Sequence, residues 1–253
     1  MTYCLGIMTR FGLVMAADSR TNAGVDYIST YQKLFDFSVP DERTILLCMS
    51  GNLSITQSVL TLLRRDLKNE REPNLHSLSS LHEVATYLGN TIRDIQNEHR
   101  QQLERDGIDF QCNFLLGGQT QGEDIQLYQI YTQGNYIEAT PETPFLQIGE
   151  TKYGKPILDR TLTFDTRLEA AAKCALLSID STMRSNISVG PPINMVMYEK
   201  DSFHIRHQLR LRLGDPYLAH IRKLWEIALK EAFGRIPNVE WELPDSDEDI
   251  YID

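Results

Sequence analysis

Threonine at position 2, aspartate at position 18 and lysine at position 33 are residue types that together can run nucleophilic catalysis. If Met1 is removed, Thr2 carries a free α-amine beside its own hydroxyl. One residue then supplies both nucleophile and base, and no histidine is needed. An α-amine ordinarily titrates at about pH 7.7–8.0, so it accepts a proton close to neutrality. Asp18, within Ala16-Ala17-Asp18-Ser19-Arg20, and Lys33 would be the charged pair that holds and tunes such a site. Singly, each has an ordinary explanation: many chains begin Met-Thr, an aspartate at a strand end caps a turn, and a lone lysine is solvated. The weight lies in their joint occurrence, with a nucleophile at the start, an acid after the second strand and a lysine entering the next hairpin.

Other chemistries have less support. His204-Ile205-Arg206-His207 is the one histidine pair with suggestive spacing, but on a strand an odd separation sends the two rings to opposite faces. No glycine-rich phosphate loop and no G-x-S-x-G elbow is present. Neither a cofactor nor a metal is expected. Cys4, Cys48, Cys112 and Cys174 lie far apart with no C-x-x-C pair, which favours buried free thiols over disulfides and suits a reducing compartment.

The elements that must position these residues follow from periodicity. Thr2–Thr9 and Leu13–Ala17 read as strands around the tight turn Arg10-Phe11-Gly12. Tyr27–Tyr31, Lys33–Val39 and the nearly all-apolar Thr44–Met49 continue the run, and Ser50-Gly51 launches a helix with Ile55, Val59, Leu60, Leu62 and Leu63 on one side. Leu81, Val84, Ala85, Leu88, Ile92 and Ile95 mark a second, long helix. Ile108–Leu116 is a strand closed by Gly117-Gly118, Asp124–Tyr131 and Asn135–Glu138 form a hairpin, and Phe145–Ile148 ends in Gly149. Helices over Tyr153–Arg160 and Thr166–Arg184, strands over Ile193–Tyr198 and Phe203–Leu213, and an amphipathic helix over Pro216–Phe233 complete the chain. Clustered strands and helices do not fit an alternating parallel βαβ sheet. They fit an α+β fold, a four-layer αββα sandwich of two stacked antiparallel sheets with helices outside.

The 253 residues contain no linker of the Pro/Gly/Ser type, so one domain over 1–213 is expected, with the helix and acidic tail of 214–253 appended to it. The net charge of −10 argues against a nucleic-acid partner. Much of it is local: residues 240–253 hold seven acids and no Lys or Arg, and the remainder carries −3. No signal peptide or membrane-length apolar run is visible, which points to a soluble, cytoplasmic protein. The last helix either closes the chain's own core or docks on a neighbouring subunit, and its place outside the sandwich favours the second.

Thr2, the Ala17-Asp18-Ser19-Arg20 run with Ala23-Gly24 behind it, Tyr31-Gln32-Lys33-Leu34, and Met49-Ser50-Gly51 before a helix resemble the proteasome β-subunits, which are N-terminal nucleophile hydrolases. Within that family the Met-Thr-Tyr-Cys start, the length and the C-terminal extension look most like the bacterial Anbu group. The resemblance implies that Thr2 Oγ attacks the scissile carbonyl, that Lys33 lowers the effective pKa of that hydroxyl, and that Asp18 orients Lys33. It implies an oxyanion donor at the Gly51 N–H, a specificity pocket lined by Met49, and an extended peptide paired along Asn22, Ala23 and Gly51. The family also places a serine after a glycine-ended strand, where this chain reads Gly149-Glu150-Thr151, and an aspartate and serine before the last strands. Those match Asp180 with Ser188, or Ser185 with Ser188.

The implied activity is a threonine-type peptidase acting on peptides or unfolded protein, within a homo-oligomer of ring or open-spiral form. The alternatives are an amidase of small amides or isopeptides built on the same residues, and a non-catalytic scaffold.

Overall fold

The computed structural model describes residues 2–22 and 28–241, in two compact units, Met1–Asp215 and Pro216–Asp253. The first unit begins with β1 (Tyr3–Thr9), β2 (Gly12–Ala17), β3 (Arg20–Asn22), β4 (Ile28–Thr30), β5 (Leu34–Asp36) and β6 (Arg43–Gly51). Then come α1 (Leu53–Lys68), α2 (Leu81–Arg105), β7 (Cys112–Thr120), β8 (Gln126–Ile130), β9 (Tyr136–Glu138) and β10 (Phe145–Gly149). It ends with α3 (Lys155–Thr161), α4 (Leu168–Ser185), β11 (Ile193–Glu199) and β12 (His207–Leu211), and α5 (Pro216–Gly234) belongs to the second unit.

Two five-stranded antiparallel sheets carry the architecture, ordered β10-β1-β2-β11-β12 and β5-β6-β7-β8-β9, with β3-β4 as a separate ribbon. They stack face to face over a core that includes Cys4, Leu13, Met15, Leu46, Cys48, Leu115, Leu127 and Ile148. Helices α1 and α2 cover the second sheet through Ile55, Val59, Leu63, Val84, Leu88 and Ile92, and α4 packs on β1, β2 and β11 of the first. The expected four-layer αββα sandwich is what forms. Each of the Leu, Ile, Val and Met side chains among these, buried fully, contributes about 1.5–3 kcal/mol.

Local signals set the helix starts. Asn52 caps α1, its side-chain oxygen accepting from Ser54 N at 3.0 Å and Ile55 N at 3.2 Å. Ahead of α2, Ser80 Oγ accepts from Glu83 N at 3.1 Å, while Glu83 Oε2 reaches back to Ser79 N at 2.8 Å.

Several boundaries depart from expectation. Gly117 and Gly118 do not close a strand: they lie inside β7, which starts at Cys112 rather than at Ile108. Their lack of a side chain serves packing. A Cβ on Gly117 would stand 2.7 Å from Leu13 and 2.8 Å from Met15 of the facing sheet, and one on Gly118 would collide with Thr44 O. Lys33 precedes β5 instead of opening it, and β12 spans only His207–Leu211. His204 therefore lies off the strand, bonded to Asp41 at 2.8 Å, while His207 faces Glu199 at 3.3 Å. All four cysteines are buried free thiols.

In the second unit, α5 carries an i,i+4 pair, Lys230 to Glu226 at 2.8 Å, and exposes Leu224, Ile227, Leu229 and Phe233. Among the described residues no helix is long and apolar enough to cross a membrane, and no group of three His, Cys, Asp or Glu residues is placed to hold a metal ion.

Candidate active site

The β1–β2 ladder determines where Asp18 falls. Cys4 faces Ala17 across it, so Asp18 is the next residue out, opposite Tyr3. Its N–H donates to Tyr3 O at 3.1 Å, and its side-chain oxygen Oδ1 takes the return bond from Tyr3 N at 3.0 Å. The carboxylate thus extends the ladder beyond the strand's last carbonyl. Oδ2 accepts from Arg20 N and from Gly190 N, each at 3.1 Å. Lys33 Nζ completes the shell, donating to Asp18 Oδ1 at 2.8 Å and to Arg20 O at 2.5 Å. Four donors match the four acceptor positions of a carboxylate.

This pair is out of solvent, with Asp18 0% and Lys33 4% exposed. Burial pushes the Asp18 carboxyl above its ordinary value, and the Lys33 ammonium, then the N–H groups of Tyr3 and Gly190, pull it back. A lysine has three donors, of which Asp18 and Arg20 take two. Because Lys33 Nζ and Tyr3 N share one carboxylate oxygen, the ammonium is held within two hydrogen-bond lengths of the residue that follows Thr2.

Thr2 is held from the other side as well. Its carbonyl accepts from Glu150 N at 2.7 Å. Gly149, opposite Tyr3, has φ +88°, and a Cβ there would collide with Thr2 O. Only glycine permits this approach.

A third segment, 186–190, closes on the same centre. Besides the Gly190 N–H on Asp18, Gly190 O accepts from Ser19 N and Arg20 N, each at 3.2 Å, and Arg20 Nη1 donates to Ile187 O at 2.7 Å. Asn186 ties its start down, accepting from Ser188 N at 2.9 Å and donating to Glu150 Oε2 at 2.9 Å.

Thr2, Asp18 and Lys33 are therefore brought together. Gly51 sits at the end of β6 with φ +102°, where a Cβ would collide with Gln111 O. Met49 is only 2% exposed and packs in the core with α1 and α2. Its N–H donates to Lys33 O at 3.1 Å, joining β6 to the site through the backbone. Asp180 lies inside α4, buried, with Arg184 Nε 3.9 Å from its Oδ2, and Ser188 lies in the 186–190 segment. Asn22 is in β3, and Ala23 falls outside the described residues. A cleft of about 320 Å³ runs past Ser19, Thr30, Gln32, Asn194 and Arg210, neighbours of Asp18 and Lys33 in sequence or on the sheet.

Sequence reasoning left Gly190, Arg20 and Asn186 without a role. Nothing local to Gly190 says that its N–H meets an aspartate 172 positions earlier.

Cys48 and Cys112 do not compete as nucleophiles. Burial pushes the Cys48 thiol well up and Cys112 to about 11, far from the thiolate form at neutral pH.

The proteasome subunit family model matches residues 2–197. The chain belongs to the proteasome subunit family. It is 25% identical over 208 residues to proteasome subunit beta 2 of Nitrosopumilus maritimus, covering 81% of this chain and 89% of that relative. Among solved structures it is similar to Anbu (ancestral beta-subunit) from Yersinia bercovieri, with 47% identity and a TM-score of 0.89 over 95% of this chain and 100% of that one. A structure described as the helical assembly of the Anbu complex from Pseudomonas aeruginosa is 44% identical, with a TM-score of 0.89, 94% of this chain and 98% of that chain being covered. The proteasome-type fold, with an additional C-terminal helix, is thus shared with these structures over nearly the whole chain.

Proposed function

We propose that this family member is a threonine-type peptidase subunit whose nucleophile is Thr2, exposed by removal of Met1, and that it works within a homo-oligomer. One observation carries the assignment: a single oxygen of buried Asp18 holds both the backbone N–H next to Thr2 and the Lys33 ammonium. That arrangement fixes a cation close to the residue that carries the hydroxyl, and a neighbouring cation is what lowering the proton affinity of a weak nucleophile requires.

In the reaction, Thr2 Oγ adds to the scissile carbonyl while its proton passes to the Thr2 α-amine, directly or through a water. The Gly51 N–H receives the oxyanion. The C–N bond breaks, the amine proton leaves with the departing amino group, and an ester joins the acyl part to Thr2. Water, deprotonated by the same amine, hydrolyses that ester and restores the hydroxyl. Lys33 keeps its third donor for Thr2 Oγ, and Asp18 stays ionised throughout. An extended peptide enters along β3, with Asn22 and Ala23 pairing to its backbone. Oligomer formation is supported by the solved helical assembly of the similar Pseudomonas aeruginosa protein and by the apolar residues that α5 leaves exposed.

The test is incubation with an epoxyketone or β-lactone followed by peptide mass spectrometry. The expected result is loss of Met1 and one adduct, on Thr2, absent in Thr2→Ala. An adduct that persists in Thr2→Ala, or Met1 retained in the native assembly, would leave only the scaffold role.

A further inference from the structure

The segment facing Thr2 carries a buried carboxylate that the reaction just described does not use. The pairing of Tyr3 with Gly149 makes Glu150 the next residue opposite Thr2, and the Glu150 N–H on Thr2 O at 2.7 Å closes that step of the ladder. Opposed residues of an antiparallel pair stand about 5 Å apart, within reach of one another's polar groups. Glu150 is only 7% exposed. Its Oε2 accepts from Asn186 Nδ2 at 2.9 Å, and its Oε1 lies 3.5 Å from Nζ of exposed Lys152. A neutral amide and one solvated lysine are thin compensation for an anion taken out of water, since burial of a charge is strongly unfavourable unless it is paired. An ammonium at the amino end of Thr2 would supply that pairing.

We propose that Glu150 is a positioning residue for the Thr2 α-amine, resting on the reading of Thr2 as nucleophile. Its carboxylate accepts a hydrogen bond from the amine, turns the amine lone pair towards Oγ, and favours the ammonium formed when the hydroxyl proton is taken. Asn186 holds it to the same 186–190 segment that supplies the Gly190 N–H to Asp18. Both ends of the Thr2 environment are thereby referred to one loop.

The alternative is a strut, in which Glu150 merely links Gly149-Glu150 to Asn186. Glu150→Gln separates the two roles, because its amide oxygen can still accept from Asn186 while the charge is gone. Glu150→Ser is a second neutral variant in case the first does not fold, and Glu150→Asp retains the charge. The measurement is the rate of Thr2 modification by a β-lactone from pH 5.5 to 9, with adducts located by mass spectrometry. In the wild type the rate rises as the amine loses its proton. The neutral variants should show that midpoint moved down by about one pH unit, the size expected for removing a neighbouring opposite charge, with a several-fold lower plateau. Glu150→Asp should restore the wild-type midpoint. Asn186→Ala should lower thermal stability and leave the midpoint in place. An unchanged midpoint in a folded neutral variant makes Glu150 a strut and overturns the inference while the function stands. Absence of any Thr2 adduct in the wild type overturns both.

Discussion

The Asp18 centre and helix α5 are opposite ways of using a chain. Around Asp18 every acceptor position is filled from within the protein: Tyr3, Arg20 and Gly190 give backbone N–H groups, and Lys33 gives its ammonium. Helix α5 instead leaves Leu224, Ile227, Leu229 and Phe233 in contact with water. The first region is over-determined, which suits groups that must not move during a reaction. The second contains apolar residues that are exposed among the described residues, which suits contact with other molecules.

Substitutions should separate the two regions by the size of their effects. The largest is expected for Asp18→Ala, which strands a buried ammonium and the N–H groups of Tyr3 and Gly190: about 3–5 kcal/mol lost in urea unfolding, together with Thr2 reactivity. Tyr3, beside that centre, should give the next. Burial raises its phenol from 10.0 to about 12, against hydrogen bonds to Ser178 and Gln147 that lower it. A folded pKa above the unfolded one means that the contribution is complete below pH 10 and is lost as pH rises towards 12, by about 3 kcal/mol at most. Denaturant titrations from pH 9 to 12 should show that alkaline loss in the wild type and a smaller one in Tyr3→Phe, which starts about 1 kcal/mol less stable.

Charges placed on α5, in Leu224→Glu with Phe233→Glu, should change stability by no more than about 0.5 kcal/mol. They should nonetheless reduce the mass seen in sedimentation; unaltered assembly would mean that this surface makes no subunit contact. Smallest of all is Lys155→Ala. It removes an exposed i,i+4 pair to Asp159 of 2.6 Å and should cost about 0.3–0.5 kcal/mol by thermal unfolding. A loss near that of Asp18→Ala would erase the distinction between buried and surface ion pairs drawn here.

The layers were legible because they are written in short-range pattern. Ile55, Val59 and Leu63 repeat as a helix face does, and the apolar run of β6 reads as a strand buried on both sides. Gly117 and Gly118 misled because glycine in a strand and glycine at its end look alike until the facing sheet, with Leu13 and Met15, is in place. In the site, Thr2, Asp18 and Lys33 could be singled out by chemistry alone. Gly190 and Asn186 could not, since one acts only through its backbone N–H and carbonyl and the other through a residue 36 positions away. Met49, to which the family resemblance gives a place in a specificity pocket, belongs to the same core cluster as Ile55, Val59 and Phe114.

The Gly190 N–H on Asp18 ties the working end of the molecule to a stretch synthesised long after it. While the chain is still on the ribosome, the aspartate lacks one of its donors until that glycine has emerged and the loop has packed down. Fragments released before that point would lack this donor, so the buried carboxylate is fully compensated only once nearly the whole first unit has been made.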